Sequence, residues 1–226
     1  MKYRSDIIKP ILKELHTHAN PRNVAGMARF GINPKDTLGV SIPVLRQMAK
    51  RIGKNHAVAL ALWRTGIHEA RLLAAFIDDY AQVDKRQMED WVNDFDSWDV
   101  CDQVCSNLFD KTPFAFSTAK CWSRRKKEFV RRAGFTLMAT LAVHAKDAKN
   151  KDFVGFFPFI KKGAFDERNY VRKAVNWALR QIGKRNRVLR EKSIILARQI
   201  YRMDTSASRW IAADALRELA VKKFKN

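Results

Sequence analysis

The chain has 226 residues, of which 46% are apolar, so it can build a full hydrophobic core and is not a disordered protein. Its formal net charge is +21, from 44 Lys and Arg against 23 Asp and Glu. A charge of this size concerns partners rather than fold, and nucleic acid is the leading candidate partner. No stretch approaches the roughly 18 apolar residues that cross a bilayer, so we expect no membrane contact.

Apolar residues recur with helical spacing along almost the whole chain, whereas alternating strand patterns and Asn-Gly turns are nearly absent. We therefore predict an all-α protein with short connections, folded as one domain over residues 1–226. The predicted helices lie near residues 3–19, 22–30, 41–53, 55–64, 68–79, 84–94, 97–110, 113–122, 127–145, 149–162, 167–184, 187–202 and 206–222.

The two halves of the chain differ in charge. Residues 1–112 carry 16 Lys and Arg against 14 Asp and Glu, a net charge of +2. Residues 113–226 carry 28 against 9, a net charge of +19, and these cations alternate with apolar residues of predicted helices. The basic residues should therefore lie on a folded surface and not in a tail.

Sequence repeats also occur in the basic half. FVRRAGFTL (129–137) aligns with YVRKAVNWA (170–178), and NWALRQI (176–182) aligns with ADALREL (213–219). Periods near 40 residues with two helices each indicate a HEAT-like or armadillo-like α-solenoid, which we expect to be curved with a basic concave face. The alternative is that such short matches arise by chance in an all-α protein.

The stretch DFDSWDVCD gathers carboxylates in a basic chain. Asp96 or Ser97 can cap a helix, and Asp99 suits its first turn. Asp102 lies in the second turn, four residues after Trp98, so both should share one face. A carboxylate and an indole can stabilise positive charge that develops on a sugar ring. The alternative is that Asp102 only pairs with a surface arginine.

Cations recur at one position of the repeats, as expected for contacts with regularly spaced phosphates. The alternative is a solvated helix edge. Trp177 has a cation one turn before it and another one turn after it, so it is either a core residue or an aromatic that meets a sugar or base. The predicted phosphate-contacting cations are Arg131, Arg132, Arg172, Lys173 and Arg180.

The sequence gives little support for metal or cofactor chemistry. Cys101 and Cys105 are four residues apart, but no second pair of Cys or His has metal-ligand spacing, so we expect buried thiols and no metal. No GxGxxG, P-loop or HExxH motif occurs, and we expect no cofactor. The three cysteines form no disulfide framework and the N-terminus has no signal-peptide pattern, so a cytoplasmic protein is expected, at the nucleoid when bound to DNA.

The sequence resembles the AlkD-like DNA alkylation repair family, the HEAT-like-repeat DNA glycosylases, over nearly its whole length. Five segments in order carry the resemblance: MARFGI (27–32), LGVSIPVLR (38–46), SWDVCD (97–102), VRRAG (130–134) and VRKAVNWALRQIGK (171–184). The resemblance implies hydrolysis of the N-glycosidic bond of cationic alkylated purines, such as 3-methyladenine and 7-methylguanine. It also implies catalysis at the sugar while the lesion stays in the duplex stack, without a base-flipping pocket.

Matching the motifs also implies roles for individual residues. Trp98 and Trp177 resemble the tryptophans that contact the lesion's deoxyribose, Asp102 the catalytic carboxylate, and Arg132 the arginine near the lesion backbone. Phe30, a predicted DNA contact, stands where the best-known member of the family has a tyrosine. The missing hydroxyl removes a hydrogen bond at the edge of the site but keeps the aromatic face.

Three functions remain open at this point. The first is a monofunctional glycosylase that acts as a monomer on double-stranded DNA with alkylated bases. The second is a non-catalytic HEAT-repeat protein that binds distorted or branched DNA. The third is an α-solenoid scaffold for an acidic protein, for which the basic half would supply charge complementarity.

Overall fold

A computed structural model describes the backbone of residues 2–221 and the side chains of residues 7–220. All regular structure in this part of the chain is helical, which confirms the predicted all-α class. The helices are α1 (Lys2–Thr17), α2 (Pro21–Arg29), α3 (Ile42–Ile52), α4 (His56–Trp63), α5 (His68–Ile77), α6 (Lys85–Asn93), α7 (Trp98–Asn107), α8 (Ala115–Trp122), α9 (Glu128–His144), α10 (Asn150–Val154), α11 (Phe157–Gly163), α12 (Asn169–Gly183), α13 (Arg187–Tyr201) and α14 (Ser206–Val221), with a 3₁₀ turn at Phe109–Lys111. None of them is long and apolar enough to cross a membrane.

Side-chain caps fix several helix starts. The side chain of Asn20 accepts hydrogen bonds from the backbone nitrogens of Arg22 and Asn23 at the start of α2. The same kind of contact satisfies backbone donors that have no partner inside the helix. Asn or Asp side chains cap three further helices in this way: α4 by Asn55, α6 by Asp84 and α13 by Asn186.

Two predicted helices were wrong in detail. The helix predicted over 149–162 is split into α10 and α11. Pro158 lies in the first turn of α11 and lacks the N–H that a continuous helix would donate to the carbonyl of Val154. The helix predicted over 97–110 stops at Asn107, because Leu108 leaves the helical region at φ −131°. The end of the helix predicted over 206–222 lies outside the described residues.

The chain divides into two compact units, residues 1–112 (unit 1) and residues 113–226 (unit 2). The prediction of a single domain stays a prediction. In unit 1, α5 packs against α3, α4 and α7. An aromatic cluster fills part of its core, with Trp63 and Trp91 stacked in parallel at 3.9 Å and Phe95 and Phe109 beside them. Burial of these large rings is the main stabilising contribution in such a core.

Unit 2 is organised around two long helices. α9 packs against α8 and α12, and α12 packs against α13 and α14. Gly134 of the VRRAG segment lies where α9 crosses the end of α8, and a Cβ there would overlap the backbone nitrogen of Ser123. The glycine therefore permits the close approach of these helices.

Candidate nucleic-acid interface

Trp98 is the first residue of α7, and a backbone contact fixes its indole. Its Nε1 donates a 3.0 Å hydrogen bond to the carbonyl oxygen of Phe30, the residue that ends α2. The phenyl ring of Phe30 is 75% exposed. Because the bond uses the backbone, it does not depend on the side chain at position 30. The contact therefore orients the indole of Trp98 and links the start of α7 to the exposed residue at the end of α2.

Asp102 lies one turn further along α7. The half-buried residues of this helix recur at 98, 99, 102, 103, 106 and 107, whereas Val100, Cys101, Val104 and Cys105 are buried. This spacing follows one side of an α-helix. Asp102 and Trp98 thus lie on the accessible side of α7.

The other carboxylates of DFDSWDVCD have structural partners in unit 1. Asp94 Oδ2 accepts a 2.8 Å hydrogen bond from the indole of Trp63, and Asp96 Oδ2 accepts a 2.9 Å bond from the side chain of Asn33. Ser97 occupies the N-cap position of α7 but forms no side-chain capping bond. Asp94 and Asp96 therefore bind the segment between α6 and α7 to its neighbours in unit 1.

Asp99 is held by a buried histidine. Its Oδ2 lies 2.8 Å from Nε2 of His68, the first residue of α5, and the His68 side chain is only 4% exposed. Burial lowers the pKa of His68, but the hydrogen bond and the charge of Asp99 outweigh it and raise that pKa above its ordinary value. Burial opposes ionisation of Asp99 as well, yet His68 holds the pKa of Asp99 below its ordinary value. The pair is an ionic contact between α5 and α7.

The next residue of α5, Glu69, binds the loop between α2 and α3. It is fully buried, and its carboxylate accepts the backbone N–H groups of Leu38 and Gly39 at 2.8 and 2.6 Å. This loop in turn binds α2, because the carbonyl of Leu38 accepts a 2.7 Å bond from the backbone of Asn20. Gly39 has a positive φ of 79° that favours glycine. Two adjacent residues of α5 thus position both α7 and α2.

Sequence reasoning did not assign these positioning roles. A signal was present, because a charged His-Glu pair opens a helix, HEARLLAAFI, that is otherwise almost entirely apolar. A charged residue in such a helix is usually paired if it is buried.

In unit 2 the predicted phosphate contacts differ in their surroundings. Arg131 Nε lies 3.3 Å from Asp166 Oδ2, and Arg180 forms ion pairs with Asp214 and Glu218. Arg172 stacks over the ring of Trp210 at 5.3 Å, and Lys173 is exposed. The charges of Arg131 and Arg180 are thus partly neutralised inside the unit.

The two unit 2 residues predicted near the lesion also have defined positions. Arg132 is only 6% exposed, and its Nη1 donates a 2.6 Å hydrogen bond to the carbonyl of Tyr170. Trp177 is half-buried on α12. Arg132 therefore contributes to the contact between α9 and α12, and its predicted role at the DNA backbone stays a prediction.

The thiols of α7 lie in the core. Cys101 and Cys105 are buried, and burial together with neighbouring groups raises the pKa of the Cys105 thiol well above its ordinary value. A neutral buried thiol is a poor ligand and nucleophile. No group of three or more His, Cys, Asp or Glu side chains between residues 7 and 220 is placed to hold a metal ion.

Comparison with known proteins decides the family. The model of the DNA alkylation repair enzyme family matches residues 11–219. The chain belongs to this family. The resemblance inferred from the five sequence segments is therefore confirmed. A comparison with curated proteins finds no significant match.

Solved structures give the fold of this member of the DNA alkylation repair enzyme family. One, described as "a new family of proteins related to the HEAT-like repeat DNA glycosylases with affinity for branched DNA structures", is 19% identical with a TM-score of 0.77 and covers 93% of this chain and 94% of its own. This similarity confirms a HEAT-like helical fold.

Two further solved structures are less similar. An engineered protein is 13% identical with a TM-score of 0.41, covering 79% of this chain and 91% of its own. A designed armadillo repeat protein in complex with a peptide is 14% identical with a TM-score of 0.42, covering 78% and 90%. These scores are too low to support an argument.

Proposed function

We propose that the protein is a DNA repair glycosylase that hydrolyses the N-glycosidic bond of cationic alkylated purines, such as 3-methyladenine and 7-methylguanine, in duplex DNA. The observation that supports it most is the geometry of α7. Trp98 is oriented by the carbonyl of Phe30, and Asp102 lies on the same accessible side of the helix one turn away. Trp98 and Asp102 have this arrangement in a member of the DNA alkylation repair enzyme family.

The chemistry needs only one carboxylate. An alkylated purine already carries positive charge, so the glycosidic electron pair moves to the base and neutralises it without a general acid. The deoxyribose becomes positively charged in the transition state, and Asp102 stabilises that charge. A water oxygen then bonds to C1′, and its proton passes to Asp102 and on to solvent. The indole of Trp98 favours the same cation through its π face.

Binding to the duplex is assigned mainly to the charge of unit 2. Its net charge of +19 would attract a polyanion and release counterions, so affinity should fall steeply with salt. Lys173 is its most accessible predicted contact. The roles of Trp177 and Arg132 at the lesion, like that of a concave basic face, remain predictions.

A second candidate function is non-catalytic binding of distorted or branched DNA. It is favoured by the solved structure with TM-score 0.77, whose description names affinity for branched DNA. The phenylalanine at position 30 also favours it, because no hydroxyl is available there for a hydrogen bond at the DNA edge. Both functions use the same cations, so only base release separates them.

The experiment incubates the purified protein with methylated duplex DNA and measures free 7-methylguanine by chromatography. A glycosylase releases the base, and its DNA affinity falls steeply between low and moderate salt. Binding without release would establish the second function in place of the first. Binding that hardly changes with salt would contradict phosphate recognition in both.

A further inference from the structure

Unit 1 contains a cationic cavity that the candidate site does not use. It has a volume of about 350 Å³ and is lined by Arg46, Ala49, Lys50, Gly53, Lys54, Phe76, Asn107 and Lys111. Four of these residues are cations, and no carboxylate occurs among the described residues that line it. The concentration is unusual because unit 1 as a whole has a net charge of only +2.

Several elements hold these cations in place. Arg46 of α3 stacks on the ring of Phe76 with its Cζ 4.7 Å from the ring centroid, and its Nη2 donates to Asn107 Oδ1 at 3.3 Å. Lys54 Nζ donates to the carbonyl of Asp78 at 2.6 Å, and Lys111 Nζ to the carbonyl of Asn107 at 2.7 Å. The side chains therefore converge from α3, the loop after it, the end of α5 and the end of α7.

A purely structural role would leave most donors of these side chains unused. Lysines near helix ends commonly satisfy the last carbonyls, and Lys54 and Lys111 do so here. An ammonium group has three donors and a guanidinium five. Lys54 uses two donors on the carbonyls of Phe76 and Asp78, and Lys111 uses one. The remaining donors are available to an anion.

Asp78 and Asp79 act on Lys54 through their charges, but they offset the positive environment of the cavity only in part. The carboxylate of Asp78 accepts bonds from His56 and Gln87 at 2.7 and 2.6 Å, and that of Asp79 accepts bonds from Ala81 and Gln82. Burial and the positive charge of Lys111 lower the pKa of Lys54, and together they outweigh the charges of Asp78 and Asp79, which raise it. A bound anion would relieve this repulsion.

From this geometry we infer that the cavity formed by Arg46, Lys50, Lys54 and Lys111 is a phosphate-binding site of unit 1. The stacked, planar guanidinium of Arg46 suits two phosphate oxygens, and the lysines supply point charges. The volume exceeds that of one phosphate and accommodates a phosphate with its sugar, with Ala49 and Phe76 as the apolar wall.

The phosphate can belong to the backbone of DNA or to a free phosphate monoester. Asn107, which lines the cavity, lies about 14 Å from Trp98 along the axis of α7, at about 1.5 Å per residue. That distance equals the rise of about four base pairs. For a duplex that runs along α7, a DNA phosphate here would lie a few base pairs from the sugar at Trp98. Binding of backbone phosphate rests on the proposed function, whereas binding of a free phosphate does not.

The test compares Lys50→Gln with Lys13→Gln, an exposed lysine of α1 outside the cavity. For each protein, affinity for an unmodified duplex with 5′-hydroxyl ends is measured by fluorescence anisotropy over a range of NaCl concentrations. If the site binds backbone phosphate, Lys50→Gln lowers affinity severalfold and makes the log–log salt slope shallower by about 0.9. Lys13→Gln leaves both unchanged.

A second arm titrates inorganic phosphate at constant ionic strength and follows amide shifts by NMR. Shifts at Lys50 and Lys54 that are lost in Lys50→Gln, without any change in duplex binding, assign the site to a free phosphate. If Lys50→Gln and Lys13→Gln behave alike in both arms, the inference is overturned. Absence of base release would overturn the glycosylase proposal alone and leave these measurements unaffected.

Discussion

The two units use charged side chains in different ways. Unit 1 is nearly neutral, yet four cations converge on one cavity without a carboxylate in its described lining. Unit 2 has a net charge of +19, but Arg131 and Arg168 pair with Asp166 in the loop before α12, and Arg180 pairs with acids of α14. Net charge therefore describes the long-range attraction of a unit, whereas the local pairing of each cation decides where a phosphate can bind.

The local partners of the carboxylates likewise decide what each of them does. Asp94 and Asp96 hold the segment between α6 and α7, and Asp99 connects α7 to α5. In unit 2, Asp166 binds Arg168 at 2.6 Å. Burial opposes ionisation of Asp166, but Arg168 outweighs it and lowers the pKa of this carboxyl. Acids in this basic chain mainly position helices, and Asp102 is the one to which we assign chemistry.

The largest expected effect on stability comes from breaking the α5–α7 contact of unit 1. Asp99→Asn removes the ionic hydrogen bond to His68 and should lower the free energy of unfolding by about 2 kcal/mol near pH 5.5. Urea unfolding followed by circular dichroism measures this. Asp96→Asn is the matched control, since its side chain is 42% exposed and the change should be below about 1 kcal/mol.

The loss in Asp99→Asn should depend on pH in a defined way. The pKa of His68 is raised, so the pair stabilises fully below about pH 6.5 and loses this contribution as pH rises through the folded-state value. The pKa of Asp99 is lowered, so its contribution is present above about pH 4 and is lost as pH falls through the folded-state value. A difference from wild type that stays constant from pH 3 to pH 9 would contradict the ionic pair.

A smaller effect should follow from removing the hydrogen bond that orients the Trp98 indole in unit 1. Trp98→Phe keeps an aromatic face but loses the bond to the Phe30 carbonyl, which is worth about 1 kcal/mol. We expect the rate of 7-methylguanine release to fall about tenfold with little change in DNA affinity. Phe30→Tyr leaves the backbone carbonyl in place, so any change in rate in that variant reports the added hydroxyl and not the bond to Trp98. A fall in affinity equal to the fall in rate would mark Trp98 as a binding residue only.

The smallest expected effect distinguishes a paired cation of unit 2 from an exposed one. Lys173→Gln should make the log–log salt dependence of DNA binding shallower by about 0.9, as for one lost phosphate contact. Arg180→Gln should change the slope less, because Arg180 already pairs with Asp214 and Glu218. Salt titrations of both variants on one duplex measure the difference. Equal changes in slope would show that these ion pairs open when DNA binds.

The helices could be predicted from the sequence because they depend on local patterns. Apolar spacing predicted most of their ends within a few residues, and the caps found at Asn20 and Asn186 are contacts within one helix end. The break at Pro158 was missed although a proline inside a predicted helix is a local signal. The spacing of Trp98 and Asp102 likewise indicated a shared face, which is a property of one helix.

The supporting contacts of the site could not be predicted. His68 and Asp99 are 31 residues apart, and the pairing of Arg180 with Glu218 joins helices across 38 residues. The packing of whole helices determines such contacts, and periodicity within a helix carries no information on them. The cationic cavity depends on four segments that meet only in the folded unit.

The most direct test of the proposed chemistry is the single-turnover rate of 7-methylguanine release by Asp102→Asn, with enzyme in excess over methylated duplex. Asparagine has nearly the same shape but no charge, so we predict a fall in rate of about 10³-fold or more, while DNA affinity stays equal or rises because a repelling charge is gone. Release at the wild-type rate by Asp102→Asn would contradict stabilisation of the sugar cation by Asp102.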